Sequence, residues 1–221
     1  MYTTFLFDLD GTLTDPKEGI VNSIVYALRK MGIDEQDDNK LLSFIGPPIQ
    51  HSFANIYGMN EKQVIDAVTY YREYFKTKGM FENHVYEHIP SVLQELKDAG
   101  KRLFVATSKP TVFAKQILEH FQMAHYFEEI VGSNLDGTRI AKAEIIQHIL
   151  HTYDNLEKEH VVMVGDREYD IIGARQVGID SIGVMYGYGS KEELVTAGAT
   201  HISKDVESLK NFHYAVKQVT D

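Results

Sequence analysis

The 221-residue chain has no cysteine and no tryptophan, and only five prolines. Without thiols there is neither a disulfide framework nor a thiolate metal site. Positive charge is also in short supply: 22 Lys and Arg stand against 32 Asp and Glu, a formal net charge of −10. That balance argues against nucleic-acid polymers and anionic membranes as partners. No apolar run approaches membrane-spanning length, and the first residues carry no basic segment followed by an apolar signal core, so a cytoplasmic location is expected. No internal repeat or low-complexity segment is evident. At 43% hydrophobic content the chain can bury a sizeable core, as one domain or as a domain with an insertion.

The stretch that organises the rest is Phe5-Leu6-Phe7-Asp8-Leu9-Asp10-Gly11-Thr12. Its apolar start predicts a strand buried on both faces, as in a parallel sheet. Asp8 and Asp10 are two residues apart, so in extended chain they point the same way. Gly11 lets the backbone turn sharply and approach a ligand closely. Ligands of open α/β sheets sit beyond the carboxyl ends of the strands, where this pair lies. Two carboxylates so close repel unless one is protonated or a cation intervenes, and a hard, oxygen-seeking ion such as Mg²⁺ suits them. A calcium loop beginning at Asp8 is excluded, because its sixth and twelfth positions are Leu13 and Gly19 instead of Gly and Glu.

Asp15 is expected to cap a helix with Pro16 in its first position and a stripe of Ile20, Ile24, Ala27, Leu28 and Met31, stopped by Gly32. Asp34 to Lys40 reads as a solvated loop. Phe44-Ile45-Gly46-Pro47-Pro48 reads as a rigid turn opening a helix at its second proline. Asn60 begins another helix, with Val64, Val68, Tyr71 and Phe75 at helical spacing, ending near Gly79. Residues 14 to 80 are thus expected to be all-helical.

Beyond them strands and helices alternate. Helices are expected over Pro90–Ala99, around Phe113 to Phe121, over Arg139–Tyr153 and Tyr169–Val177, and near Lys191–Thr196. Strands are expected at Arg102–Ala106, Ile130–Val131, Val161–Val164, Ser181–Met185 and His201–Ser203. The alternation predicts an α/β fold, a doubly wound parallel sheet, interrupted after its first strand by the helical insertion.

Three more strand-to-helix turns carry chemistry. Thr107-Ser108 ends an apolar strand and offers a hydroxyl and fresh N–H groups to anionic oxygens, or simply caps the next helix. Gly165-Asp166, with Asp170 one helical turn on, places carboxylates within reach of a metal at the first pair, or forms an ordinary turn. Lys142 offers an ammonium near a helix start, and Lys109 is its rival by proximity. Tyr186-Gly187-Tyr188-Gly189, after a strand, reads as a plain surface loop, with a lining of the site's mouth as the alternative. The aromatics Tyr70, Tyr71, Tyr74 and Phe75 read as core, and His148 and His151 as surface residues.

Asp8-Leu9-Asp10-Gly11-Thr12, then Thr107, then Lys142, then Gly165-Asp166 with Asp170, resembles the four-motif signature of the haloacid dehalogenase superfamily. More narrowly it is similar to the phosphoglycolate phosphatase-like branch, and the resemblance covers essentially the whole chain. It implies a Rossmann-like core of residues 1–13 and 81–221 with a helical cap of residues 14–80, and a small phosphorylated metabolite as partner of a monomer or homodimer. By the same resemblance Asp8 is the nucleophile and Asp10 the general acid and base. Mg²⁺ is held by the Asp8 carboxylate, the Asp10 backbone carbonyl and Asp166. Thr107, Ser108 and Lys142 grip the phosphate, and Asp170 supports the lysine or the metal. A sugar-phosphate mutase on the same core, and a receiver-like phospho-switch, are the alternatives.

Overall fold

The computed structural model describes residues 1–153 and 155–214. Its main sheet has six parallel strands in the order β5-β4-β1-β6-β7-β8, where β1 is Thr4–Phe7, β4 Arg102–Pro110, β5 Glu129–Ser133, β6 Val161–Gly165, β7 Asp180–Val184 and β8 His201–Ser203. β1 sits at the centre because it is apolar on both faces. Phe5 and Phe7 pack on one side, and Leu6 joins Phe104, Ile145 and Ile149 on the other. Each of these side chains is essentially fully buried, which contributes about 1.5–3 kcal/mol apiece. Helices α5 (Ile89–Asp98) and α6 (Thr111–His120) cover the first side, and α7 (Lys142–Thr152) and α8 (Glu168–Val177) the second. A last helix, α9, spans Lys191–Ala197.

Between β1 and the rest of the sheet lies the helical segment: α1 (Lys17–Lys30), α2 (Asp38–Leu42), α3 (Ile49–Tyr57) and α4 (Glu61–Tyr74), the last continued by a π-helical turn over Phe75–Gly79. α1 packs along α4, with Ile20, Ile24, Ala27 and Leu28 of the expected stripe all buried. Asn60 caps α4 through a reciprocal pair of hydrogen bonds with Gln63, satisfying end groups that a helix leaves open.

The structure departs from expectation in several places. Residues 14 to 80 are not wholly helical. Thr14–Asp15 forms a short strand, β2, antiparallel to β3 (His84–Val85), at the base of the segment. Asp15 is consequently not the cap residue of α1, although its carboxylate still accepts from Lys17 N at 3.0 Å. The expected loop from Asp34 to Lys40 contains the start of α2, because Asp37 accepts from the backbone N–H groups of Asn39 and Lys40. Finally, α7 starts at Lys142 and not at Arg139, because Arg139 has φ +50° and Ala141 is extended.

Candidate active site

The carboxyl ends of β1, β4 and β6 lie side by side, and the acids of the sequence meet there. Asp8 N donates to Val164 O at 2.9 Å, so Asp8 prolongs the line of β1 beside β6. Leu9 N donates to Asp8 Oδ1 at 2.7 Å, fixing the carboxylate. Gly11 then turns with φ +83°, and a Cβ there would lie 2.2 Å from Asp166 Oδ2. Only glycine lets this turn press on Asp166.

Asp8, Asp166 and Asp170 are all buried and bring one carboxylate oxygen each within 4.8 Å of the others. Lys142 closes the group: its Nζ is 3.0 Å from Asp8 Oδ1, 2.7 Å from Asp170 Oδ1 and 2.9 Å from Ala106 O. Burial alone would lower the Lys142 pKa, but the Asp170 and Asp8 charges outweigh it and push it up to about 12. Burial raises Asp170 to about 6 against the pull of Lys142. Asp166 is pushed well above the usual carboxylate range by burial, with Asp170 and Asp8 adding to it. Three carboxylates against one ammonium leave two negative charges uncompensated, the charge of a divalent cation. The donors are hard oxygens, so the residues present fit Mg²⁺.

Asp10 has different company. Its Oδ2 is 2.8 Å from Lys109 Nζ, which itself lies 4.5 Å from the centre of the Phe75 ring. Its Oδ1 is buried and meets no hydrogen-bond donor among the described residues. Burial raises the Asp10 pKa, and Lys109 offsets part of that rise.

Contrary to the expected strand end at Ala106, β4 runs on to Pro110, so Thr107 lies inside it, buried, with its Oγ1 accepting from Lys109 N at 3.2 Å. Ser108 is half-buried, and its carbonyl accepts from Ser133 Oγ at 2.9 Å. Both line, with Asp8, Asp10 and Lys109, a cavity between the strand ends and the helical segment. Gly46, Pro47 and Pro48 of the predicted turn line it from the other side. Lys142, Asp166 and Asp170 belong to the buried group around Asp8 and do not line the cavity wall.

Three features escaped the sequence. Tyr186–Gly189 is no plain surface loop: Tyr188 N donates to Asp166 Oδ2 at 2.8 Å, Tyr186 Oη donates to Thr12 O at 2.9 Å, and Tyr188 Oη donates to Asp15. Lys109 is not simply a competitor of Lys142, because each lysine serves a different aspartate. Its position two residues beyond Thr107 on β4 was the available signal, since alternate residues share a strand face. Arg167, not singled out at all, joins Glu193 at 2.8 Å and donates to Ile45 O at 2.5 Å, tying the Phe44–Pro48 turn to the core. His148 and His151 are exposed, as expected.

A family model described as haloacid dehalogenase-like hydrolase matches residues 5–184. The chain belongs to that family. It is 47% identical over 209 residues to a 5'-nucleotidase of Pseudomonas aeruginosa, covering 95% of this chain and 94% of that protein. It is 37% identical over 198 residues to the tyrosine-protein kinase PtkA of Mycobacterium tuberculosis, covering 90% of this chain and 67% of the relative. The crystal structure of a predicted phosphatase from Clostridium acetobutylicum superposes with a TM-score of 0.92 at 51% identity, covering 96% of this chain and 97% of the other. This hydrolase family and its α/β fold, together with the relatives, establish the chain as a phosphatase. No helix among the described residues is long and apolar enough to cross a membrane.

Proposed function

We propose that the chain is a Mg²⁺-dependent phosphatase that hydrolyses small phosphomonoesters through an aspartyl-phosphate on Asp8, with residues 14–80 as a cap over a core of residues 1–13 and 81–221. The observation that carries this reading is the position of Asp8. It belongs at once to the cavity wall and to the buried carboxylate group held by Lys142.

In the first step a carboxylate oxygen of Asp8 forms a bond to phosphorus, and the bond from phosphorus to the ester oxygen breaks. Asp10 gives its proton to that leaving oxygen. In the second step Asp10 takes a proton from water as the water oxygen attacks phosphorus, which frees phosphate and restores Asp8. Lys142 holds the Asp8 carboxylate in place, so the nucleophile needs no rearrangement to attack. Thr107 and Ser108 hold phosphoryl oxygens near the end of β4, and Lys109 keeps Asp10 turned toward the cavity. Mg²⁺ held by Asp8, Asp166 and the Asp10 carbonyl, with Asp170 beside them, would neutralise charge between nucleophile and phosphate.

The test is phosphate release with Mg²⁺ across phosphoglycolate, nucleoside monophosphates and sugar phosphates, with Asp8→Asn as control. ATP with a tyrosine-containing peptide serves as counter-assay, given the relative named a kinase. Free phosphate formed over many turnovers and lost in Asp8→Asn is the expected result. A phosphorylated isomer as product, one stoichiometric phosphorylation, or near-normal turnover by Asp8→Asn would overturn it.

A further inference from the structure

The cavity carries more chemistry than phosphoryl transfer uses. Away from Asp8 its wall is built from the rings of Phe44, Tyr71, Phe75 and Phe113. Three polar groups on that wall have capacity to spare. Tyr71 is only 8% exposed, and no described residue hydrogen-bonds its hydroxyl. Arg72 uses one guanidinium nitrogen, donating to Leu135 O at 3.3 Å, and no described carboxylate pairs with it. Gln50, at the start of α3, has no side-chain partner among the described residues. The other cation on the wall, Lys109, is already committed to Asp10.

These groups are ordered along the cavity. Tyr71 stands at the phosphate end, close enough for the Asp10 charge to act on its hydroxyl. Arg72 reaches toward the exposed loop around Leu135. A leaving group that satisfies the whole wall needs hydroxyls near the ester, a flat apolar face, and hydrogen-bond acceptors at the far edge. A two-carbon acid offers neither the face nor the reach, and a bare sugar lacks the face. A nucleoside has all three, and a guanidinium and a primary amide are the groups that pair with base edges. Ring-on-ring stacking supplies the rest.

We infer that this half of the cavity receives a nucleobase, that nucleoside monophosphates are the preferred substrate class, and that Arg72 with Gln50 sets that preference. The inference rests on the phosphatase reading above.

The test compares kcat/KM with Mg²⁺ for a nucleoside 5'-monophosphate, ribose 5-phosphate and phosphoglycolate, in the wild type, Arg72→Met and Gln50→Leu. The wild type is expected to favour the nucleotide over ribose 5-phosphate by at least ~10-fold, and Arg72→Met to cut that ratio by about 10-fold or more, as losing a charged hydrogen-bond donor does. Gln50→Leu shifts the same ratio less. Because Arg72 also touches Leu135, a mutant-free measurement stands beside these: phosphate-free nucleoside should inhibit the wild type competitively, and ribose should not. Equal rates on nucleotide and ribose 5-phosphate, or no inhibition by nucleoside, would overturn the inference. So would a preference for phosphoglycolate that Arg72→Met abolishes, which would make Arg72 the receptor of an anionic tail. In each of these cases the phosphatase reading stands. Absence of phosphate release from every ester would overturn that reading instead, and this inference with it.

Discussion

Asp8 and Asp10 are the same residue type two positions apart, and their neighbours give them different work. Asp8 accepts from a backbone N–H and faces Lys142, and the two contacts fix its carboxylate in place. Asp10 keeps a buried oxygen that no described donor reaches, and its raised pKa suits a group that must hold and return a proton. Asp8→Asn is therefore predicted to lower turnover by at least ~1,000-fold, because an amide neither attacks phosphorus nor keeps the Lys142 charge. Circular dichroism and the melting profile should stay native. Lys142→Met has the opposite character. It strands Asp8, Asp166 and Asp170 without their ammonium, so in metal-free buffer at neutral pH it should destabilise the fold by about 3–5 kcal/mol. Urea unfolding measures this, and the loss should shrink at pH 5, where the raised carboxylates take up protons. A loss unchanged between the two pH values would mean that Lys142 matters through packing alone.

Elements reach the site through contacts of very different sequence separation, and this decides what could be read in advance. Three of the motifs are local to an apolar run that parallel topology brings beside its neighbours, whereas Lys142 opens α7 well beyond the end of β5. What stayed hidden depends on distant partners. Tyr188 finds Asp166, and Arg167 finds Ile45 some 120 residues away; neither pair leaves a periodicity or spacing to detect. The short strands β2 and β3 escaped for a similar reason, because two residues carry no pattern and their pairing spans the whole helical segment. The loop after β7 yields a test at this scale. A Cβ at Gly187 would lie 2.3 Å from Gly11 O and 2.4 Å from Asp166 Cβ, so Gly187→Ala must displace the turn that carries the acids. Activity should fall steeply. Gly178→Ala, at φ +81° with nothing within 4 Å of the new Cβ, should cost about 1 kcal/mol and leave turnover intact. Equal activity in both variants would show that the loop does not support the site.

At the scale of the whole molecule the chain is strongly acidic, yet the cavity gathers Lys109 and Arg72 within a single cleft. The overall sign disfavours polyanions, and of the two cations Lys109 is paired with Asp10 while Arg72 keeps donors to spare. Inside, the buried acids are predicted to make stability depend on pH and, with the proposed metal bound, on Mg²⁺. Asp170 has a folded pKa raised to about 6, so in the metal-free protein its contribution is present at low pH and lost as pH rises through that value. Mg²⁺ bound at these acids, as proposed, would compete with those protons. Its stabilising effect should thus be small at pH 5 and grow to about 2.7 kcal/mol at neutral pH when the metal is 100-fold above its dissociation constant. Thermal melts with and without Mg²⁺ at both pH values check this, and a shift that did not grow with pH would separate the metal from the buried acids.

The central claim is that phosphate passes through Asp8, and trapping the intermediate tests it most directly. Wild-type protein mixed with Mg²⁺ and a ³²P-labelled phosphomonoester is quenched in acid within a turnover, and the labelled peptide is identified. The label should sit on the peptide containing Asp8, vanish on dilution into unlabelled substrate before the quench, and be missing from Asp8→Asn. Rapid phosphate release with no label on the protein at any quench time, or label on another residue, would contradict the account.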